Sequence, residues 1–232
     1  VSGMGRALWR ASVLFVLFVV GFAQEPRLPR VVVQEFGQGR AGNGEWVELL
    51  VVGTGPGTTV DLRGWVLRDL QGQGRGGVWL RFTEHELWQA IPAGTLIVIY
   101  NVEDRPNLPE HFPKDDFDPS DFLLVLPART GDYFVLAQWG GLGNTGDCIL
   151  LIDAQGSDVF GLCYGERSGQ PLQLGAVDRG RASWYLGAGL EGIFDPKNWR
   201  VGLDAPGGST PGAPNSEENA RWLEFLRTPP SA

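Results

Sequence analysis

Few residues in this chain are suited to chemistry, and their spacing decides what they can do. The only histidines are His85 and His111, and neither sits in His-Glu-x-x-His or another zinc-ligand spacing. The stretch His85-Glu86-Leu87-Trp88-Gln89 lacks the second histidine. There is no Gly-x-Ser-x-Gly elbow and no Walker-type phosphate loop. A dyad between Cys163 and a histidine would need tertiary proximity that no local pattern signals. Acidic residues are plentiful, but Glu45 and Glu48 fall on opposite faces of one expected strand, a poor start for a two-carboxylate hydrolase.

The acidic loop Lys114-Asp115-Asp116-Phe117-Asp118-Pro119-Ser120-Asp121 is the strongest metal candidate. Its Asp-x-Asp spacing suits a hard cation such as calcium, which wants several carboxylate oxygens. It lacks the glycine and distal glutamate of an EF-hand, and a solvated acidic loop is the alternative. The sequence therefore predicts no catalytic residue, no cofactor and no assigned metal ligand.

Cys148 and Cys163, the only cysteines, flank an expected hairpin. Asp147–Asp153 runs into the turn Ala154-Gln155-Gly156, and Ser157–Tyr164 returns. Antiparallel partners keep a constant index sum, so pairing of Asp153 with Asp158 would set Cys148 opposite Cys163, within reach of a disulfide. A one-residue slip would defeat it. Bridged cysteines and two buried thiols both remain open.

The elements that must position these residues are short. Apolar runs recur at Arg30–Phe36, Glu45–Val52, Gly64–Leu70, Gly77–Phe82, Thr95–Val102, Phe122–Leu126, Tyr133–Trp139, Asp147–Asp153 and Asp158–Tyr164. Turn clusters such as Gly53-Thr54-Gly55-Pro56-Gly57 separate them, and no unit of fixed period repeats. This is the texture of a β-sandwich or barrel. Alternation places Trp46 and Glu48 on one face, Val47 and Leu49 on the other. Gly64 permits a tight turn into Trp65, which shares an inward face with Leu67 while Arg68 points away. The tryptophans are expected to pack the core, and the strand glutamates to hold loop amides or pair with arginine. Thr83–Ala90 predicts a helical turn or two capped by Thr83. Ser216–Arg227 predicts a capped helix lying outside the main domain.

Composition narrows the function classes. The 232 residues are 43% hydrophobic and 20% charged, with 34 glycines and 16 prolines, which supports a packed core and argues against disorder. The formal charge is −8, and Lys114 and Lys197 are the only lysines. Nucleic acid and anionic membrane surfaces are thus poor partners, because both are held by clustered cations. The acidity favours solubility or attracts cations.

Residues 4–23 hold a short basic region (Arg6, Arg10), an apolar run and small residues at Gly21 and Ala23. This predicts an export signal cleaved after Ala23, with Met4 as the start. The alternatives are an uncleaved anchor and a buried helix. Loss of residues 1–23 would remove Arg6 and Arg10 and move the charge from −8 to −10. The expected organisation is then a signal at 1–23, a lead-in at 24–29, a domain at 30–215 and a tail at 216–232.

Taken in order, several motifs resemble the lamin tail domain family, an immunoglobulin-like β-sandwich also found in exported bacterial proteins. The residues that carry the resemblance begin with Val31-Val32-Val33-Gln34-Glu35-Phe36, Glu45-Trp46-Val47-Glu48-Leu49 and Asp61-Leu62-Arg63-Gly64-Trp65-Val66-Leu67. Ile91-Pro92-Ala93-Gly94-Thr95-Leu96-Ile97-Val98, Gly146–Gly165, Asn198-Trp199 and Thr210-Pro211-Gly212-Ala213-Pro214-Asn215 follow in family order. The match spans about Pro29 to Asn215, and its strength lies in the order rather than in any one motif. Leu50-Val51-Val52 departs from the family's aromatic-then-Asn ending, and Asn101–Asp121 reads as an insertion.

The resemblance implies an all-β, immunoglobulin-like sandwich with long loop insertions and a short C-terminal helix. Glu45, Trp46, Glu48, Asp61, Gly64 and Trp65 would be structural motif residues. The expected function is an exported, non-catalytic interaction or surface module whose partner is a protein or cell-envelope component. Bacterial relatives often stand beside secreted nucleases or phosphoesterases, so the alternative is a small secreted metal-assisted hydrolase acting through Asp115–Asp121, or an accessory domain to one.

Overall fold

Two six-stranded sheets face each other in the structure, a computed structural model that describes residues 28–39, 43–71 and 76–229. The expected signal lies outside the described residues. Every one of the nine apolar runs forms a strand: β1 (Val31–Gly37), β2 (Trp46–Val51), β4 (Val66–Arg68), β5 (Val78–Phe82), β7 (Leu96–Asn101), β8 (Leu123–Ala128), β9 (Phe134–Trp139), β10 (Gly146–Ile152) and β11 (Asp158–Gly165). Five further strands complete the set: β3 (Thr59–Val60), β6 (Ile91–Pro92), β12 (Leu172–Gln173), β13 (Arg181–Tyr185) and β14 (Trp199–Leu203). The first sheet has the order β14-β13-β1-β2-β7-β8, and the second β12-β11-β10-β4-β5-β9. The chain is the expected all-β sandwich with long loop insertions and a short C-terminal helix.

Both faces of the first sheet are covered, and the sequence already carries the reason. Val31-Val32-Val33 does not alternate with polar residues, and all three side chains are buried. A strand with no polar face must be covered on both sides. Inward, Phe36, Val47 and Leu49 join Trp65, Leu67 and Leu80 of the facing sheet in the main core. Outward, Trp46, Val98, Tyr100 and Trp184 form a second apolar cluster packed by Leu108 and Phe112. The alternation predicted along Glu45–Leu49 therefore holds.

β7 and β8 pair in parallel, with Leu96 beside Leu123 and Asn101 beside Ala128. A parallel neighbour requires the chain to travel back before it can pair. The long stretch after Asn101, which reads as an insertion, makes that return through 3-10 turns at Val102–Asn107 and Pro119–Asp121.

Two expectations about helices need correction. The turn near Thr83 is a 3-10 helix over Glu86–Trp88 whose cap is His85: its Nδ1 accepts from Leu87 N, and Thr83 Oγ1 instead accepts from His85 N. The C-terminal helix α1 (Glu217–Arg227) is capped by Ser216 as expected, but it does not lie outside the domain. Trp222, Leu223 and Leu226 form one apolar face and are buried in the main core, with the Trp222 indole edge-on to Tyr185.

Candidate functional site

The glutamates of the strand motifs are ligands for backbone amides. Glu48, on the outer face of the first sheet, accepts from Gly212 N at 2.6 Å and from Gln34 Nε2 at 3.2 Å. Burial pushes its carboxyl up to about 8, against the opposing pull of those donors. Glu45 points to the other face, where Leu142 N (2.7 Å) and Trp139 Nε1 (3.1 Å) both donate to Oε2. Burial raises its carboxyl to about 7. The two carboxylates thus serve separate faces of the sheet. Trp46 donates from Nε1 to Asp204 Oδ2.

Sequence reasoning did not single out the partner of Glu48. Glu35 lies directly across from it on β1, fully buried, and accepts from Thr210 N at 2.9 Å. The register between β1 and β2 shifts between Val33 and Glu35, so Gln34 is the extra residue of a bulge. The bulge lets Gln34 and Glu35 both serve the outer polar layer. From there a closed network runs through Gln34, Asn219 and Asn215 to Thr210. The Thr-Pro-Gly-x-Pro-Asn motif was the signal for its distal half.

The acidic loop uses its carboxylates locally. Asp116, Asp118 and Asp121 accept from the amides of Asp118, Ser120 and Leu123 respectively, each two residues on. Asp115 accepts from the Tyr100 hydroxyl at 2.8 Å. Among the described residues no three acidic, histidine or cysteine side chains gather as a ligand set. His111 Nε2 meets Ser209 Oγ at 3.1 Å, and Ser209 donates to Asp204 at 2.6 Å. The serine lies between histidine and carboxylate, which is not the order of a hydrolytic triad, where the histidine is central.

Cys148 and Cys163 are cross-strand partners joined by a disulfide. The reasoning that placed them opposite is corrected at its starting point. Asp158 pairs with Ile152 rather than Asp153, and a bulge between Leu151 and Ile152 restores the expected register from Leu151–Phe160 onward.

A groove of about 1230 Å³ lies at one end of the sandwich. Val52, just after β2, and Trp65, just before β4, line it; Trp222, Phe225 and Leu226 come from α1, and Leu28 from the lead-in. Leu28 is 71% exposed and Phe225 60%, so the lips are apolar and open to solvent. Asp61 and Arg63 stand at its rim, bound to each other at 2.6 Å. Gly64, at φ +75°, makes the turn that delivers Trp65 into this wall. Three motif positions therefore meet at the groove: Asp61 and Trp65 line it, and Gly64 shapes it. No family model matches the chain, and no curated protein matches it.

Proposed function

We propose that this protein is an exported, non-catalytic interaction module resembling the lamin tail domain, which engages a protein or cell-envelope partner through the groove beside Trp65 and α1. The observation that carries the reading is the groove itself: open apolar lips at Leu28 and Phe225 over a tryptophan-lined wall. Exposed apolar surface in a concavity is what an interaction site offers. The ordered motifs from Val31 to Asn215 support the family assignment. The carboxylates that could have served a hydrolase are engaged by backbone amides and by Tyr100, Gln34 and Trp139.

The experiment has three arms. Mass spectrometry of exported protein reads the N-terminus, which is expected at Gln24; an intact start at Met4 in the envelope would overturn the processing. Phe225→Asp and wild type are compared for partners retained from an envelope fraction, and a partner bound by wild type must be lost on the variant. The same preparations are tested on nucleic acid and phosphoester substrates with magnesium, manganese, calcium and zinc. Metal-dependent turnover that co-purifies with the chain would replace the interaction reading with the hydrolase.

A further inference from the structure

Glu35 and Glu48 are two carboxyl groups held side by side where neither can reach water. They are directly opposed across β1 and β2, and both side chains have zero exposure. The charged groups facing them are few. Asp204, from the segment after β14, adds negative charge near Glu35, while Arg227 at the end of α1 adds positive charge near Glu48. Arg227 nevertheless gives its Nε to Gly94 O at 3.0 Å. His111 reaches this layer only through Ser209 and Asp204. Two buried like charges on directly opposed residues disfavour joint ionisation.

The strap residues hold the two carboxyl groups by different contacts. The Thr210 hydroxyl has a single hydrogen and lies 2.7 Å from Asn215 Oδ1. Asn215 Oδ1 must accept there, because its Nδ2 faces Tyr185 O and Gln34 O. Thr210 Oγ1 stands 3.4 Å from Glu35 Oε2, beyond the usual O–H···O range, while Thr210 N donates to Glu35 Oε1 at 2.9 Å. Glu48 receives donors on both oxygens, from Gln34 and Gly212.

We propose that the Glu35–Glu48 pair is a proton-loaded latch that holds the 204–216 strap and α1 against the first sheet and releases them as the solution becomes alkaline. While the pair carries a proton, Glu35 and Glu48 fasten Thr210 and Gly212. Asn215 and Asn219 carry the hold onward into the first turn of α1. Removing the last proton of the pair leaves two opposed buried charges. α1 supplies Trp222, Phe225 and Leu226 to the groove, so release reshapes that wall. The latch stands whatever the groove binds.

The sign follows from linkage. Burial and the neighbouring carboxylate hold the Glu35 carboxyl well above its ordinary value. A raised group contributes stability that is complete below its unfolded value and is lost as pH rises through the folded one.

The test is hydrogen exchange at the Thr210 and Gly212 amides of the full chain, from about pH 4.5 to about pH 9. Glu35→Gln supplies a permanent neutral acceptor in place of the acid. The ratio of wild-type to Glu35→Gln exchange at these two amides is expected to be lowest near pH 4.5 and to rise at least about tenfold by pH 9. Normalising to the variant removes the intrinsic alkaline rise. Glu48→Gln is expected to flatten the same profile at weaker protection, because its amide opposes one of the two donors. A ratio that stays constant with pH, or a Glu48→Gln profile as steep as wild type, would overturn the latch. A merely structural role lowers protection in the variants equally at every pH. Should Glu35→Gln fail to fold, wild type against Glu48→Gln carries the same comparison.

Discussion

Trp46 donates its indole N–H to Asp204 Oδ2 at 3.1 Å, joining β2 to a segment 158 residues further along the chain. The indole crosses β1 at Gly37, where a Cβ would strike Trp46 Nε1 and Cε2. Asp204 is also held by Ser209 Oγ at 2.6 Å, so the tryptophan orients the start of the strap that leads to Thr210 and Gly212. A hydrogen bond to a charged, buried acceptor contributes about 1.5–3 kcal/mol.

A double-mutant cycle of Trp46→Phe and Asp204→Ala isolates that bond from the loss of ring volume. The coupling energy by chemical denaturation is expected at about 1.5–3 kcal/mol. Strict additivity would mean that the bond contributes nothing beyond packing. Gly37→Ala should be destabilising through the same contact, by about 1–3 kcal/mol of overpacking.

The sandwich was legible in the sequence because strand periodicity is local. Val31–Phe36 and Glu45–Val52 announce themselves through residues that are neighbours in the chain. β13 and β14 do not. Arg181-Ala182-Ser183-Trp184-Tyr185 opens on weak strand formers, and Trp199–Leu203 contains a glycine and ends on a largely exposed leucine. The disulfide register was legible too, yet from a premise that failed, since the bulge beside Ile152 compensates an unforeseen turn. The buried pairing of Glu35 with Glu48 was out of reach, because the bulge at Gln34 decides which side chains share the outer face. The groove was equally hidden, being assembled from segments near residues 28, 52, 65 and 225 that only tertiary packing brings together.

Trp65→Ala should destabilise the fold even though the indole lines the groove. The side chain is only 7% exposed and sits in the main core beside Leu67. Truncation leaves a cavity and is expected to cost about 3–5 kcal/mol by chemical denaturation. An unchanged midpoint combined with lost partner binding would make Trp65 a surface contact instead. Phe225, being largely exposed, should show the reverse pattern: little change in stability and a loss of binding.

Glu45 makes stability fall as pH rises from the ordinary glutamate value towards neutrality. Burial raises its carboxyl to about 7, so its contribution is complete below the ordinary glutamate value and disappears as pH passes about 7. Glu45→Gln can keep both bonds, because Leu142 N and Trp139 Nε1 converge on one oxygen that the amide also possesses. Melting temperature against pH should therefore be flatter in the variant between 4.5 and about 7. The Thr210 and Gly212 amides, which Glu45 does not touch, should keep the wild-type exchange profile. An unchanged slope in Glu45→Gln would assign this loss to another group.

The disulfide between Cys148 and Cys163 ties the outer face of the second sheet at a hairpin whose turn is irregular. Ile152 pairs with Asp158, Asp153 N donates to Ser157 O at 2.9 Å, and the Leu151–Ile152 bulge follows. A hairpin with a bulge near its turn has competing registers one residue apart, and a slip of one residue turns every side chain to the opposite face. The cross-link forbids that slip, because the cysteines meet only in the native register. Its closed loop is short, with a sequence separation of 15, which in the chain-entropy model gives about 3 kcal/mol. The Cys148→Ser, Cys163→Ser double variant should lose about that much by chemical denaturation. Exchange should rise first at the amides of Ile149 and Leu151 on β10. Thiol titration of exported wild type under denaturing, non-reducing conditions should find no free thiol. Two free thiols there, or a double variant as stable as wild type, would remove the cross-link from the account of this hairpin.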